Sequence, residues 1–166
     1  LYWAPVDRTG RPEVDKRSLF LATPFAEALG SLSPDGRWMV YASDESGHYE
    51  IYATSFPKPG AIHRISRNGG REPIWNPKGG EIVFLDGSDM YSVGVTLTPE
   101  FRSSEPKRLF GGPFPDVPGF GYDITADGRR FLMLENREML RPTRQLTVVT
   151  NFFDELQRRM PPGQRR

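Results

Sequence analysis

The residues able to do chemistry in this chain are few and scattered. There are two histidines, His48 and His63, and no cysteine. The histidines stand fifteen positions apart with no second His at ligand spacing, so each reads as an ordinary surface histidine and no metal centre is expected. Asp44, Glu45 and Glu50 gather carboxylates, but no Asp-x-Asp-x-Asp-Gly loop exists to wrap calcium. A nucleophilic serine would need a Gly-x-Ser-x-Gly elbow between a strand and a helix. Gly87-Ser88-Asp89 instead reads as a hairpin turn. Gly69-Gly70 and Gly111-Gly112 precede no helix, so they are turns rather than phosphate cradles. The expectation is a non-enzymatic protein with no catalytic residues and no cofactor.

The bulk properties narrow the partners. The chain has 166 residues and a net charge of +1 from 22 basic and 21 acidic side chains. That balance gives no long-range field for nucleic acid or an anionic membrane. Arg129-Arg130 and the terminal arginines read as solvated charge. No apolar run approaches the ~18 residues of a membrane span, so direct membrane insertion is not expected. The chain opens on Leu1, which reads as a piece of something longer. Without cysteine it fits a periplasmic or a cytoplasmic setting in a bacterium equally.

The elements that would position any site are short strands. Glycine (17) and proline (16) make up about a fifth of the chain and punctuate brief apolar runs, the pattern of an all-β domain. One unit is clearest at Leu32–Ser43. Pro34-Asp35-Gly36-Arg37 forms a tight turn, with Pro34 presetting φ, Asp35 able to bond the backbone two residues on, and Gly36 taking positive φ. Trp38-Met39-Val40-Tyr41 follows as a strand. The unit recurs: Gly36, Gly79 and Gly128 stand 43 and 49 positions apart, the excess lying in the insert Phe114–Phe120. Four strands per ~40–50 residues is the pattern of propeller blades. Blades are therefore expected at 30–66, 67–110 and 111–151, with a partial blade over 1–29 and a C-terminal helix over 152–160. The inter-blade core is assigned to Trp38, Tyr41, Ile51, Tyr52, Trp75, Val83, Phe84, Tyr91, Phe131 and Leu132.

Ser33-Pro34-Asp35-Gly36-Arg37, then Asp44-Glu45-Ser46-Gly47, Glu50-Ile51-Tyr52 and Arg64-Ile65-Ser66, resemble the repeat of the TolB-like β-propeller family, itself WD-repeat-like. The second unit departs from it at Pro77-Lys78-Gly79-Gly80 and lacks Glu-Ile-Tyr. Val148–Leu156 is similar to the end of propeller regions that follow bacterial serine/threonine kinase domains. The resemblance implies a partial or open propeller of three to three and a half blades. It implies a protein- or peptide-binding, or ligand-sensing, part of a larger bacterial sensor or receptor-like protein. The alternatives are the accessory propeller of a prolyl oligopeptidase-like peptidase without its catalytic domain, or a purely structural piece. Unpaired blade edges make self-association through them a further expectation. In a propeller the loops after the second strand and between blades share one face. Here that face would carry Asp44, Glu45, His48, Arg67, Asn68, Arg71, Glu72, Phe114 and Phe120, the candidate binding residues.

Overall fold

In a computed structural model, residues 1–136 are described. They form antiparallel sheets with one single-turn 3-10 helix at Val14–Lys16. Strands β1 (Tyr2–Trp3) and β2 (Ser18–Leu19) pair with each other. A four-stranded meander follows: β3 (Glu27–Leu32), β4 (Trp38–Ser43), β5 (Glu50–Ser55) and β6 (His63–Arg64). The next sheet holds β7 (Arg71–Trp75), β8 (Glu81–Asp86) and β9 (Asp89–Thr96), with β10 (Arg102–Ser103) and β11 (Lys107–Gly111) both pairing with β9. A two-stranded sheet, β12 (Tyr122–Ile124) with β13 (Phe131–Met133), completes the described part. The expected third strand of that last blade and the expected helix at 152–160 lie outside the described residues.

The order of strands is the expected one, with two differences. Strand β3 begins at Glu27, where Pro24 to Gly30 reads in sequence as a connection. Its pairing with β4 makes the strand, because propensity in so short a run is weaker than a ladder. The second sheet also gains β10, a two-residue addition with no apolar signal of its own.

Blade stacking supplies the core. In β4, β5 and β8 successive residues are buried rather than alternate ones. That pattern requires a neighbour on both faces of the sheet. Val40, Ala42, Ile51 and Ala53 of the first full blade pack with Trp75, Ile82, Phe84, Val93 and Val95 of the second. Val83, Leu85 and Met90, on the second blade's opposite face, pack with Tyr122 and Ile124 of the third. Each of the larger aliphatic and aromatic side chains among them contributes on the order of 1.5–3 kcal/mol of burial free energy. Trp38, Tyr91 and Phe131 sit at the edges of these clusters, partly buried. Leu132 is a correction: it is 73 % exposed, because it points away from the second blade, onto the outer face of the third.

The turn that signals the repeat is built by side chains. Gly36, Gly79 and Gly128 have φ of 67°, 77° and 69°, as a left-handed turn position requires. The Ser33 hydroxyl donates to Asp35 (2.6 Å) and accepts from the Trp38 amide (2.9 Å), while Asp35 accepts from the Arg37 amide (3.1 Å). Thr125 and Asp127 repeat this, with Asp127 accepting from the Arg129 amide at 3.1 Å. These bonds hold the Asp35 and Asp127 carboxyls below the usual carboxylate range, the Ser33 and Thr125 hydroxyls acting most strongly. The second blade has Lys78 in the acid's place, and Asn76 moves the acceptor into its own side chain, taking the Lys78 amide at 3.0 Å. The side-chain bond thus falls on an amide two residues earlier than in the first blade, while the turn's backbone bond is kept, Gly79 donating to the Asn76 carbonyl (2.7 Å) as Gly36 does to that of Ser33 (2.8 Å).

Candidate binding face

The meander fixes which loops share an end. Strands β4 and β8 run toward the same end, so the loops after them, the connection from β6 to β7 and the connection from β11 to β12 all gather there. The Pro34–Arg37 turn lies at the opposite end of β4. The face therefore carries residues 44–49, 65–70, 87–88 and 112–121.

The inner strands enter this face through matching bulges. Pairing of β3 with β4 shifts register between Ala28 and Ser31, and that of β7 with β8 between Arg71 and Ile74. Leu29 and Glu72 occupy these bulges, each at φ 55°, a left-handed conformation costing a non-glycine residue on the order of 1 kcal/mol. The bulge interrupts the ladder at Glu72, and the Tyr122 hydroxyl of the next blade donates to its carbonyl (2.5 Å) and to that of Val83 (3.0 Å). The Gly121 amide donates to Glu72 Oε2 at 2.6 Å. Glu72 Oε1 has no hydrogen bond and lies 3.3 Å from Arg71 Nη1. Burial pushes this carboxyl upward, and the Gly121 amide and Arg71 oppose the shift.

Around that bulge is a cavity of about 310 Å³. Its apolar side is Ala28, Leu29, Ala42 and Val117, its polar side Arg71, Glu72 and Asp116, and Tyr49 stands at its margin. The Arg71 guanidinium donates to Asp116 of the insert and to the Gly87 carbonyl (3.0 Å), so it ties the insert to the second blade.

A second polar knot lies under the first blade's loops. Glu50 is fully buried, and its carboxylate accepts from Arg64, the Ser66 hydroxyl and His48 Nε2 (2.9 Å). Ser66 in turn accepts from the Ile51 amide at 2.7 Å. The order matters chemically. The histidine is bonded to the acid rather than to the hydroxyl, so the serine–histidine contact of a nucleophilic triad is not made here. The knot is a brace that holds β5, β6 and the connection beyond them.

The nine sequence-assigned residues therefore divide. Arg71 and Glu72 meet at the seam cavity. Arg67 and Asn68 line a smaller cavity further from the inner strands, where Arg67 pairs with Glu105. His48 belongs to the Glu50 brace. Asp44 accepts from the Ala26 amide at 2.8 Å and fastens its loop to the chain entering β3. Glu45 takes part through its amide, which donates to Ser43 at 3.3 Å. Phe114 packs edge-on to Phe110 beside the second core cluster. Phe120 borders an exposed apolar hollow with Leu132 and Leu134, away from the seam. Asp86 and Tyr49 were not among the assigned residues. A carboxylate closing an apolar strand, as Asp86 does after Ile82-Val83-Phe84-Leu85, is the signal that points to it. Among the described residues no group of three or more His, Asp or Glu could hold a metal ion. No helix of the described residues is long and apolar enough to cross a membrane.

No protein-family profile matches this chain, and no curated protein is similar to it. Among solved structures it is similar to TolB from Acinetobacter baumannii, with 22 % identity and a TM-score of 0.58 over 75 % of this chain and 30 % of that one. A putative TolB from Agrobacterium tumefaciens is 19 % identical, with a TM-score of 0.46 over 60 % of this chain and 39 % of that one. The chain spans less than half the length of either. The likeness to the first, joined to the stacked meanders described above, shows the fold: this chain is built of TolB-like β-propeller blades.

Proposed function

We propose that this chain is a non-enzymatic propeller module that binds a protein or peptide through the loop face. In this reading it is part of a larger bacterial sensor or receptor-like protein, such as one carrying a serine/threonine kinase domain. The observation that supports it best is the seam cavity. An apolar wall stands beside a buried carboxylate and a guanidinium, all on rigid strand ends and their loops, an arrangement suited to one apolar side chain and the polar backbone next to it. A chain in extended form also suits a groove running between two blades.

The test is binding of the partner by the full chain and by Arg71→Glu, with Arg129→Glu at the far turn as control. Arg71→Glu removes the tie to Asp116 and reverses the charge at the cavity, so binding should fall at least tenfold, or about 1.4 kcal/mol. Equal loss in both variants, or none in either, refutes the assignment of the face. Hydrolysis of a peptide by this chain alone would refute the non-enzymatic reading.

A further inference from the structure

The smaller cavity, of about 160 Å³, lies on the blade seam nearer the outer strands. Four elements of two blades build it. Arg67, Asn68 and Gly69 come from the connection leaving the first full blade. Phe84 and Asp86 end β8, and Tyr91 lies on β9. Glu105 and Pro106 come from the connection between β10 and β11.

Its chemistry is unusual for this chain. Asp86 is half-buried, yet among the described residues its carboxylate makes no hydrogen bond and no ion pair. The neighbouring acid Asp89 is satisfied by Arg108 at 2.8 Å. Burial raises the Asp86 carboxyl above the ordinary carboxylate range, and Glu50 and Asp89 push it the same way. His48 and Arg71 oppose the shift. Gly69 presses close to it: at φ 135°, a Cβ on Gly69 would stand 2.7 Å from Asp86 Oδ1. The glycine thus leaves the carboxylate open to the cavity where any other residue would cover it. The apolar wall is the stacked pair Phe84 and Tyr91, ring centroids 5.6 Å apart and 13° from parallel. At the mouth, Arg67 pairs with Glu105, and both side chains are more than two-thirds exposed. Such a pair contributes roughly 0–1 kcal/mol and is easily exchanged.

We propose that this cavity is a second recognition site, which takes the cationic head group of a lysine or arginine side chain from a bound protein. The incoming cation pairs with Asp86 and displaces Arg67 from Glu105, and its alkyl stem lies along Tyr91 and Phe84. A carboxylate beside an aromatic wall is the environment in which a partly desolvated cation gains both ion pairing and cation–π attraction. Arg67 is the built-in competitor: it holds Glu105 until a better-placed cation arrives. The site goes beyond the seam cavity and is tested without any protein partner.

The experiment is an amide NMR titration of the full chain with N-acetyl-lysine methylamide and N-acetyl-arginine methylamide, with N-acetyl-norleucine methylamide as the uncharged control. Expected are shifts confined to Gly69, Asp86, Tyr91 and Glu105, with the cations and not with norleucine, at a millimolar dissociation constant. Asp86→Asn should weaken binding about tenfold or more, the loss of one charged pairing. Tyr91→Leu should weaken it about threefold, through the lost ring. Arg67→Ala should tighten it about two- to fivefold, by freeing Glu105. No shift at about 50 mM cation, far above the millimolar constant, would overturn the site. So would equal shifts with norleucine, or affinity unchanged in both Asp86→Asn and Tyr91→Leu. Tightening in Arg67→Ala keeps the proposal open to test if Asp86→Asn perturbs the loop, and weakening there would count against it.

Discussion

Tyr122→Phe tests how the second and third blades are joined. The ring is buried, and the substitution keeps its volume, so no cavity forms. Only the hydroxyl is lost, together with its bonds to the Glu72 and Val83 carbonyls at 2.5 and 3.0 Å. Glu72 sits in a bulge, so its carbonyl has no regular ladder partner to fall back on. Glu72 and Val83 are fully buried, so water does not readily take the hydroxyl's place. A buried acceptor left without its donor costs about 1–3 kcal/mol, so a loss of about 2 kcal/mol is expected. That is a large share of the roughly 5–15 kcal/mol that holds a domain together. At ~2–4 °C per kcal/mol for a chain of this size, the midpoint of thermal unfolding should drop by about 4–8 °C. The assay is urea unfolding followed by tryptophan fluorescence, with the slope unchanged from wild type. Coupling with Glu72→Gln in a double-mutant cycle should exceed ~0.5 kcal/mol, because the Tyr122 hydroxyl and the neighbouring Gly121 amide both bond Glu72, one at its carbonyl and one at its carboxylate. Base provides a second readout. Burial holds the Tyr122 phenol well above its ordinary value, so the folded state keeps a proton that the unfolded state releases. Stability must therefore fall as pH rises past about 10, and Tyr122→Phe should shallow that fall. A loss below ~0.5 kcal/mol, together with an unchanged alkaline branch, would refute this account of the seam.

Three other perturbations probe different elements. Gly70→Ala would place a methyl 2.6 Å from Ile51 Cγ1, and Ile51 is fully buried, so overpacking should cost about 1–3 kcal/mol in urea unfolding. Glu50→Ala removes the acceptor shared by Arg64, Ser66 and His48. Arg64 is half-exposed and can turn to water, so about 2–3 kcal/mol is expected, below the full cost of breaking a wholly buried pair, again read in urea. The Asp35 and Asp127 carboxyls are held low in the fold, which contributes stability above their unfolded value near 3.8 that is lost as pH falls through the folded value. Converting both to Asn should flatten the acid branch of thermal unfolding below about pH 4, and a branch as steep as wild type would contradict the turn geometry.

Much of the frame is legible in the sequence because the turn chemistry is local. Pro34-Asp35-Gly36-Arg37 names its own hydrogen bonds within a few residues, and spacing of the glycines repeats the unit. The blade-by-blade core was legible where apolar residues run unbroken, as in Ile82-Val83-Phe84-Leu85. It was not legible at Leu132, since both faces of a strand look alike until the neighbouring blade is known to lie on one of them. The candidate face was legible as a set of loops, because strand direction alone decides which loops share an end. The fate of each side chain in those loops was not. Asp44 and His48 look like free surface groups and instead fasten the loops, because their partners, Ala26 and Glu50, are brought to them by pairing and packing. Phe114 looks like an exposed anchor, but Phe110, at the end of β11 just before the insert, offers it an apolar contact.

Local order came from the sequence itself: short strands, left-handed turns at Gly36, Gly79 and Gly128, and a period that calls for stacked sheets. Those depend on φ preferences and hydrogen bonds made within a few residues. The bulges at Leu29 and Glu72, the open carboxylate of Asp86 and the two seam cavities were decided by the tertiary structure. The bulges are shifts in the pairing of neighbouring strands, and the cavities lie where one blade meets the next, beside contacts between residues some fifty positions apart, such as Glu72 with Gly121 and Tyr122. No local preference encodes such contacts, because their free energy comes from burying two surfaces against each other.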